Sequence, residues 1–201
     1  MGFQGGFVKG FVHGTGTSPE ELSGSLMSMK IERIFLTGFM GSGKTVVGRV
    51  LADRLGWDFL DTDELVERRS GMTIPELFDV SEEAFRRWEH ICLVEVAGSS
   101  RAVVALGGGA LTREENWDVV RGKGPVVCLW TEPEIILRRV REDTYRPLLA
   151  GLDDEGKLRR IKELLEVRRP YYLRSDIVIR TDMRTPEEVA EEIVRLLGLR
   201  P

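Results

Sequence analysis

Residues 38–45 read Gly38-Phe39-Met40-Gly41-Ser42-Gly43-Lys44-Thr45, between an apolar run, Ile31 to Thr37, and a stretch of helical periodicity, Lys44 to Leu55. The string fits GxxxxGK[ST] in the context that pattern requires, after a strand and at the start of a helix. Its glycines, Gly41 and Gly43 among them, let the backbone curl around an anion. Its exposed N–H groups, with that of Ser42, and the helix N-terminus supply positive potential. Lys44 has the reach to meet terminal phosphates, and the Thr45 hydroxyl is a magnesium ligand type.

Outward from this loop the chain alternates. Strands are predicted at Asp58 to Asp61, Ala102 to Leu106, Pro125 to Trp130 and Asp176 to Arg180, each short and apolar. Helices are predicted at Asp63 to Arg69, Ser81 to Ala97, Thr112 to Arg121, Pro133 to Arg141, Glu155 to Arg168 and Thr185 to Leu197. Strands separated by helices imply an α/β fold whose parallel sheet is covered on both faces. The chain has 201 residues, 42% hydrophobic and 31% charged, enough for a single domain over residues 31–201. Residues 1–30, rich in Gly, Ser and Thr and without periodicity, read as a disordered extension or a tag.

Charge and composition exclude several classes. A net charge of -4 argues against a nucleic-acid binder, which needs a basic surplus. No apolar stretch approaches the roughly 20 residues needed to cross a bilayer. Cys92 and Cys128 cannot build a disulfide framework and read as core residues of a protein in a reducing, cytoplasmic compartment. With only His13 and His90, histidine-rich zinc sites are excluded. The strand Ala102 to Leu106 ends in glycines rather than a magnesium-binding aspartate. The only asparagine, Asn116, precedes Trp117, so the Asn-Lys-x-Asp guanine reader is missing. A small-molecule kinase is the class that remains.

Five further segments carry chemistry. In Asp61-Thr62-Asp63, alternate positions of an extended chain face one way, so both carboxylates can enter one cleft; alone, Asp61 and Glu64 read as a helix capping box. In Phe85-Arg86-Arg87-Trp88-Glu89, Arg86 and Glu89 are neighbours on a helix face and alone read as a solvated ion pair. Gly107-Gly108-Gly109 follows the third strand, where absent side chains let a ligand approach the backbone. Arg146-Pro147-Leu148-Leu149 lies in a polar stretch, and Glu166-Val167-Arg168-Arg169-Pro170-Tyr171-Tyr172 alone reads as a helix end with proline as the stop.

Together with the loop at 38–45, these segments resemble the shikimate kinase family over about residues 31 to 200. The resemblance implies a three-layer sandwich like that of the P-loop nucleoside monophosphate kinases, with a five-stranded parallel sheet. It implies a substrate-binding helical region at about 62–97 and a lid at about 142–156. ATP and Mg2+ are then the cofactors, with Gly41, Ser42, Gly43, Lys44, Thr45, Arg139 and Arg146 on the nucleotide. Thr45 and Asp61 attend the metal, Asp61 through water. Asp63 holds the attacking hydroxyl, and Arg86 and Arg168 grip the substrate carboxylate with Gly108 and Gly109 against the ring. Arg146 closes over the transferring phosphoryl group, and Lys44, Asp63 and Arg146 form the catalytic set.

Two segments depart from the family pattern. Ala105 and Leu106 offer no hydroxyl near the strand end, and Tyr171 replaces the usual leucine between proline and tyrosine. The activity implied is transfer of the terminal phosphate of ATP to the 3-hydroxyl of shikimate, on the route to chorismate and aromatic amino acids. The expected partner is this small molecule alone, with no nucleic acid and no membrane, and the expected state is a monomer. A gluconate-type or nucleoside monophosphate kinase is the alternative enzyme, and an inactive nucleotide-binding regulator the alternative of another class.

Overall fold

The computed structural model describes residues 30–142 and 146–199. The extension expected at residues 1–30 lies outside the described residues except for Lys30, and so do residues 143–145 of the expected lid. The strands are β1 Arg33–Thr37, β2 Asp58–Asp61, β3 Ala102–Ala105, β4 Val126–Trp130 and β5 Ile177–Arg180. The helices are α1 Lys44–Leu55, α2 Thr62–Ser70, α3 Ile74–Val80, α4 Glu82–Val96, α5 Glu114–Val120, α6 Pro133–Val140, α7 Asp154–Tyr172 and α8 Pro186–Leu196.

The five strands form one parallel sheet in the order β2-β3-β1-β4-β5. Successive side chains of a strand point to opposite faces, and β1 shows the result. Phe35 packs with Leu65, Leu93 and Val104 on one face, whereas Ile34 and Leu36 pack with Val47, Leu51 and Ile193 on the other. Helices therefore cover both faces, giving the three layers that a buried parallel sheet requires. A third apolar cluster joins Phe39, Cys128, Ile136, Ile161 and Tyr172 beneath the carboxyl ends of β1 and β4. The strand order switches at β1: β2 and β3 lie on one side of it, and the chain then crosses over to β4 and β5 on the other. Ligands of such sheets bind at this switch, beyond the strand ends. Both cysteines are buried; burial pushes the Cys92 thiol up to about 11 and the Cys128 thiol up to about 12, which leaves them inert.

Three expectations are corrected. The helix α3 was not expected: its seven residues are too few for a periodic signal. A capping box nevertheless starts it, with Thr73 and Glu76 each bonding the other's backbone N–H and Pro75 in the first turn. The helix expected from Thr112 is split into a 3-10 turn at Ala110–Thr112 and α5, because Arg113 is extended. Proline does not end α7 after Arg168. The helix continues through Pro170 to Tyr172, and the Leu173 N–H still bonds the Arg169 carbonyl.

Candidate active site

A cleft of about 500 Å³ opens at the carboxyl ends of β1, β2 and β3, and every residue expected at the site lines it except Ser42. Ser42 is buried in the loop itself. The loop fits its anion-binding form: Gly38, Gly41 and Gly43 have φ of 134°, 75° and 98°, a region that L side chains avoid. Gly43 then serves as the N-cap of α1 and leaves the first turn's N–H groups facing the cleft. Lys44 Nζ curls back to donate to the Gly38 and Phe39 carbonyls at 2.9 and 3.0 Å. Burial lowers its pKa to about 8, opposed by the nearby carboxylates of Asp63 and Asp61.

Across the loop, the Thr45 hydroxyl donates to Asp61 Oδ2 at 2.9 Å, and Asp61 Oδ1 accepts from the Asp63 N–H at 3.0 Å. Asp61 is thus the N-cap of α2, but the capping box that the segment taken alone suggests does not form, and Glu64 pairs with Arg49 instead. The Thr45 hydroxyl and an Asp61 oxygen, adjacent and facing one cleft beside a phosphate loop, fit a magnesium ion. Among the described residues no cluster of three His, Cys, Asp or Glu side chains could hold a metal. Magnesium at a phosphate site is held mainly by phosphate and water with one or two protein oxygens.

Asp63 Oδ1 is buried with no hydrogen-bond partner. Burial, with the charges of Asp61 and Glu89 close by, raises the Asp63 pKa to about 7 against the pull of Lys44 and Arg146. Arg86 and Glu89 form a buried pair at 2.8 Å, and Arg86 also reaches Glu82 at 3.0 Å. Arg87 faces solvent. Arg168, 7% exposed, sits with its guanidinium over the Phe39 ring at 5.4 Å, inside the same cleft as Arg86. The triple glycine is close-packed. A Cβ on Gly107 would lie 2.7 Å from Glu89 Oε1 and 2.8 Å from Asp63 Oδ1, and one on Gly109 would lie 2.9 Å from both terminal nitrogens of Arg86. Among the arginines of α6, Arg139 is the one that lines the cleft, donating to the Gly41 carbonyl at 2.9 Å. Arg146 enters from the far side, close enough to Asp63 and Lys44 to act on both charges.

Several contributors escaped the sequence reading. Thr62, between the two aspartates, is buried and accepts from the Gly107 N–H at 2.9 Å while donating to the Ala105 carbonyl at 3.2 Å. A residue facing away from two functional neighbours faces the core, which was the available signal. Ile74 and Phe78 of α3 line the cleft, Phe78 stacking on Phe85 with centroids 4.8 Å apart. They were missed with their helix.

A phosphate-binding loop, paired carboxylates beyond the next strand, and two buried arginines on the opposite wall define a P-loop kinase acting on a small anionic acceptor. The comparisons with known proteins narrow the class. A family model described as shikimate kinase matches residues 40–198. The shikimate kinase of Thermus thermophilus is 46% identical over 166 residues, 82% of this chain and 89% of that protein. That of Caldanaerobacter subterraneus is 42% identical over 166 residues, 82% of this chain and 95% of that protein. The solved shikimate kinase from Acinetobacter baumannii in complex with shikimate superposes with a TM-score of 0.80 at 36% identity, covering 88% of this chain and 97% of that one. The chain belongs to the shikimate kinase family.

Proposed function

We propose that this chain transfers the terminal phosphate of ATP to the 3-hydroxyl of shikimate, giving shikimate 3-phosphate and ADP on the route to chorismate and the aromatic amino acids. The observation that carries the reading is that the loop 38–45, Asp63 and the arginine pair Arg86 and Arg168 line one cleft. Two guanidinium groups suit one carboxylate because each offers a planar fork of donors. Such anchoring at the acid end leaves an alcohol of the same ring free to meet Asp63.

ATP supplies the phosphoryl group when bound, and magnesium supplies charge that offsets its oxygens. The chain's own residues do the rest. The loop amides of Gly41, Ser42 and Gly43, with Lys44, hold and neutralise the phosphates, while Thr45 and Asp61 stand on the metal side. Arg139 lies against the outer side of the loop, on the nucleotide side. Asp63 accepts a hydrogen bond from the attacking hydroxyl at Oδ1 and is placed to take its proton, its raised pKa suiting a base near neutrality. Arg146 adds positive charge and excludes water as the lid at about 142–156 closes. Gly108 and Gly109 bring backbone against the ring.

Residues 31–201 act as a single domain in this reading, with a substrate-binding helical region at about 62–97, and the protein works as a cytoplasmic monomer. The two buried thiols suit a reducing compartment, and no described helix is long and apolar enough to cross a membrane. A coupled ADP-release assay with shikimate, gluconate and AMP tests the function. Turnover confined to shikimate is expected, and turnover of either other acceptor with none on shikimate overturns it.

A further inference from the structure

The triple-glycine loop has no side chains with which to fix its own conformation, so other elements must hold its backbone. Thr62 of α2 holds the Gly107 N–H, and Asn116 of α5 donates to the Ala110 carbonyl at 2.8 Å. The central residue is held from α7: the Tyr172 hydroxyl donates to the Gly108 carbonyl at 2.6 Å. Tyr172 is 2% exposed and packs in the cluster of Phe39, Cys128, Ile136 and Ile161. It lies four residues after Arg168, hence on the same helix face one turn along.

We infer that Tyr172 is a positioning residue for the acceptor site, registering the glycine loop against the helix that carries Arg168. A peptide unit is planar and trans, so fixing the Gly108 carbonyl toward Tyr172 turns the Gly109 N–H the opposite way, away from α7. Gly108 and Gly109 are part of the cleft wall, and a Cβ on Gly108 would stand 3.2 Å from the Met40 nitrogen of the phosphate loop. Without the hydroxyl, the half-buried Gly108 carbonyl loses its donor, and the peptide unit gains a reason to rotate. Arg168 and the loop amides would then lose their common frame, while the phosphate loop keeps its contacts to α1.

This inference rests on the reading of shikimate as acceptor, and its test separates the two. The wild-type protein is first assayed with shikimate, and no turnover there removes the functional reading itself. Given turnover, Tyr172→Phe is compared with Ile161→Val, which lightens the same apolar cluster without touching the loop. Tyr172→Phe is expected to raise the KM for shikimate about tenfold, the effect of one part-buried hydrogen bond, and to leave the KM for ATP within about twofold. Ile161→Val is expected to lower the melting temperature with both KM values unchanged. An unchanged shikimate KM in Tyr172→Phe, or an equal rise in both KM values in both variants, would overturn the positioning role and leave Tyr172 as packing. Should Tyr172→Phe fold poorly, wild-type protein carrying fluorinated tyrosine, whose more acidic hydroxyl is a stronger donor, is expected to keep or lower the shikimate KM; a rise overturns the inference.

Discussion

Thr45 and Asp61 meet across the cleft, the hydroxyl donating to the carboxylate at 2.9 Å, and the other Asp61 oxygen caps α2 through the Asp63 N–H. One side chain therefore serves two tasks that substitution can separate. Asparagine is as good an N-cap as aspartate but lacks the charge, whereas alanine removes both. Asp61→Asn is expected to keep the melting temperature within about 2 °C while raising the magnesium concentration needed for half-maximal rate severalfold. Asp61→Ala should show the same magnesium effect and lose about 1 kcal/mol of stability. Thermal melts and magnesium titrations of the two variants check this, and a fall in stability equal for both would show that the cap is not what Asp61 contributes.

Asp63 sets the expected pH dependence. Only its carboxylate form accepts the hydroxyl proton, so with a pKa of about 7 kcat/KM for shikimate should fall about tenfold per pH unit below that value. Stability runs the other way. The folded chain holds a proton on Asp63 that the unfolded chain releases near the ordinary 3.8, so this group's contribution is lost as pH rises toward about 7. Asp63→Asn removes the penalty along with the carboxylate that takes the proton. Turnover should drop at least about a hundredfold with ATP affinity nearly unchanged, while the melting temperature at pH 8 rises by about 3–5 °C. The gain should shrink toward pH 4, and melts across that range provide the check.

The glycine loop gives a steric prediction. A methyl group at Gly109 would stand 2.9 Å from both terminal nitrogens of Arg86, closer than unbonded atoms tolerate. Arg86 is tied to Glu89 at 2.8 Å and has little room to yield. Gly109→Ala should therefore weaken shikimate binding by about tenfold or more while sparing nucleotide binding, as titration with each ligand alone would show. Equal weakening of both ligands would mean that the displacement spreads into the phosphate loop.

The parts of this site that sequence made legible are those whose chemistry is local. The loop 38–45 announces itself because anion binding needs glycines and a lysine at fixed spacing on consecutive residues, and Asp61 and Asp63 follow because a strand's period is two. Arg86, Arg146 and Arg168 came from resemblance to a family, since nothing in their own surroundings tells a clamp from a surface ion pair. What stayed hidden depends on distant partners. Thr62 and Tyr172 act on glycines 45 and 64 positions away in the chain. The seven residues of α3 are held by a capping box and by packing on α4, too short a run for periodicity to register. Pro170 misled because its lost hydrogen bond falls in the last turn of α7, where packing of Tyr172 outweighs the usual preference for stopping.

The two arginines should respond differently to removal, although both are expected to hold one carboxylate. Glu89 is 1% exposed, and its 2.8 Å bond from Arg86 satisfies one of its oxygens. Taking Arg86 away strands a buried charge, which costs about 3–5 kcal/mol, so Arg86→Met should fold poorly before its kinetics can be read. Arg168→Met leaves the Arg86 and Glu89 pair in place and substitutes an unbranched apolar chain that can still lie on Phe39. That variant should melt within a few degrees of wild type and yet raise the KM for shikimate about a hundredfold, the loss of a charge-assisted pair of hydrogen bonds to the acid. Combining Arg86→Met with Glu89→Leu should restore much of the stability without restoring affinity, because the stranded charge is gone but the clamp is too. If the double variant bound shikimate like wild type, Arg86 would be a partner for Glu89 and nothing more, and the acid would have to be held by Arg168 alone.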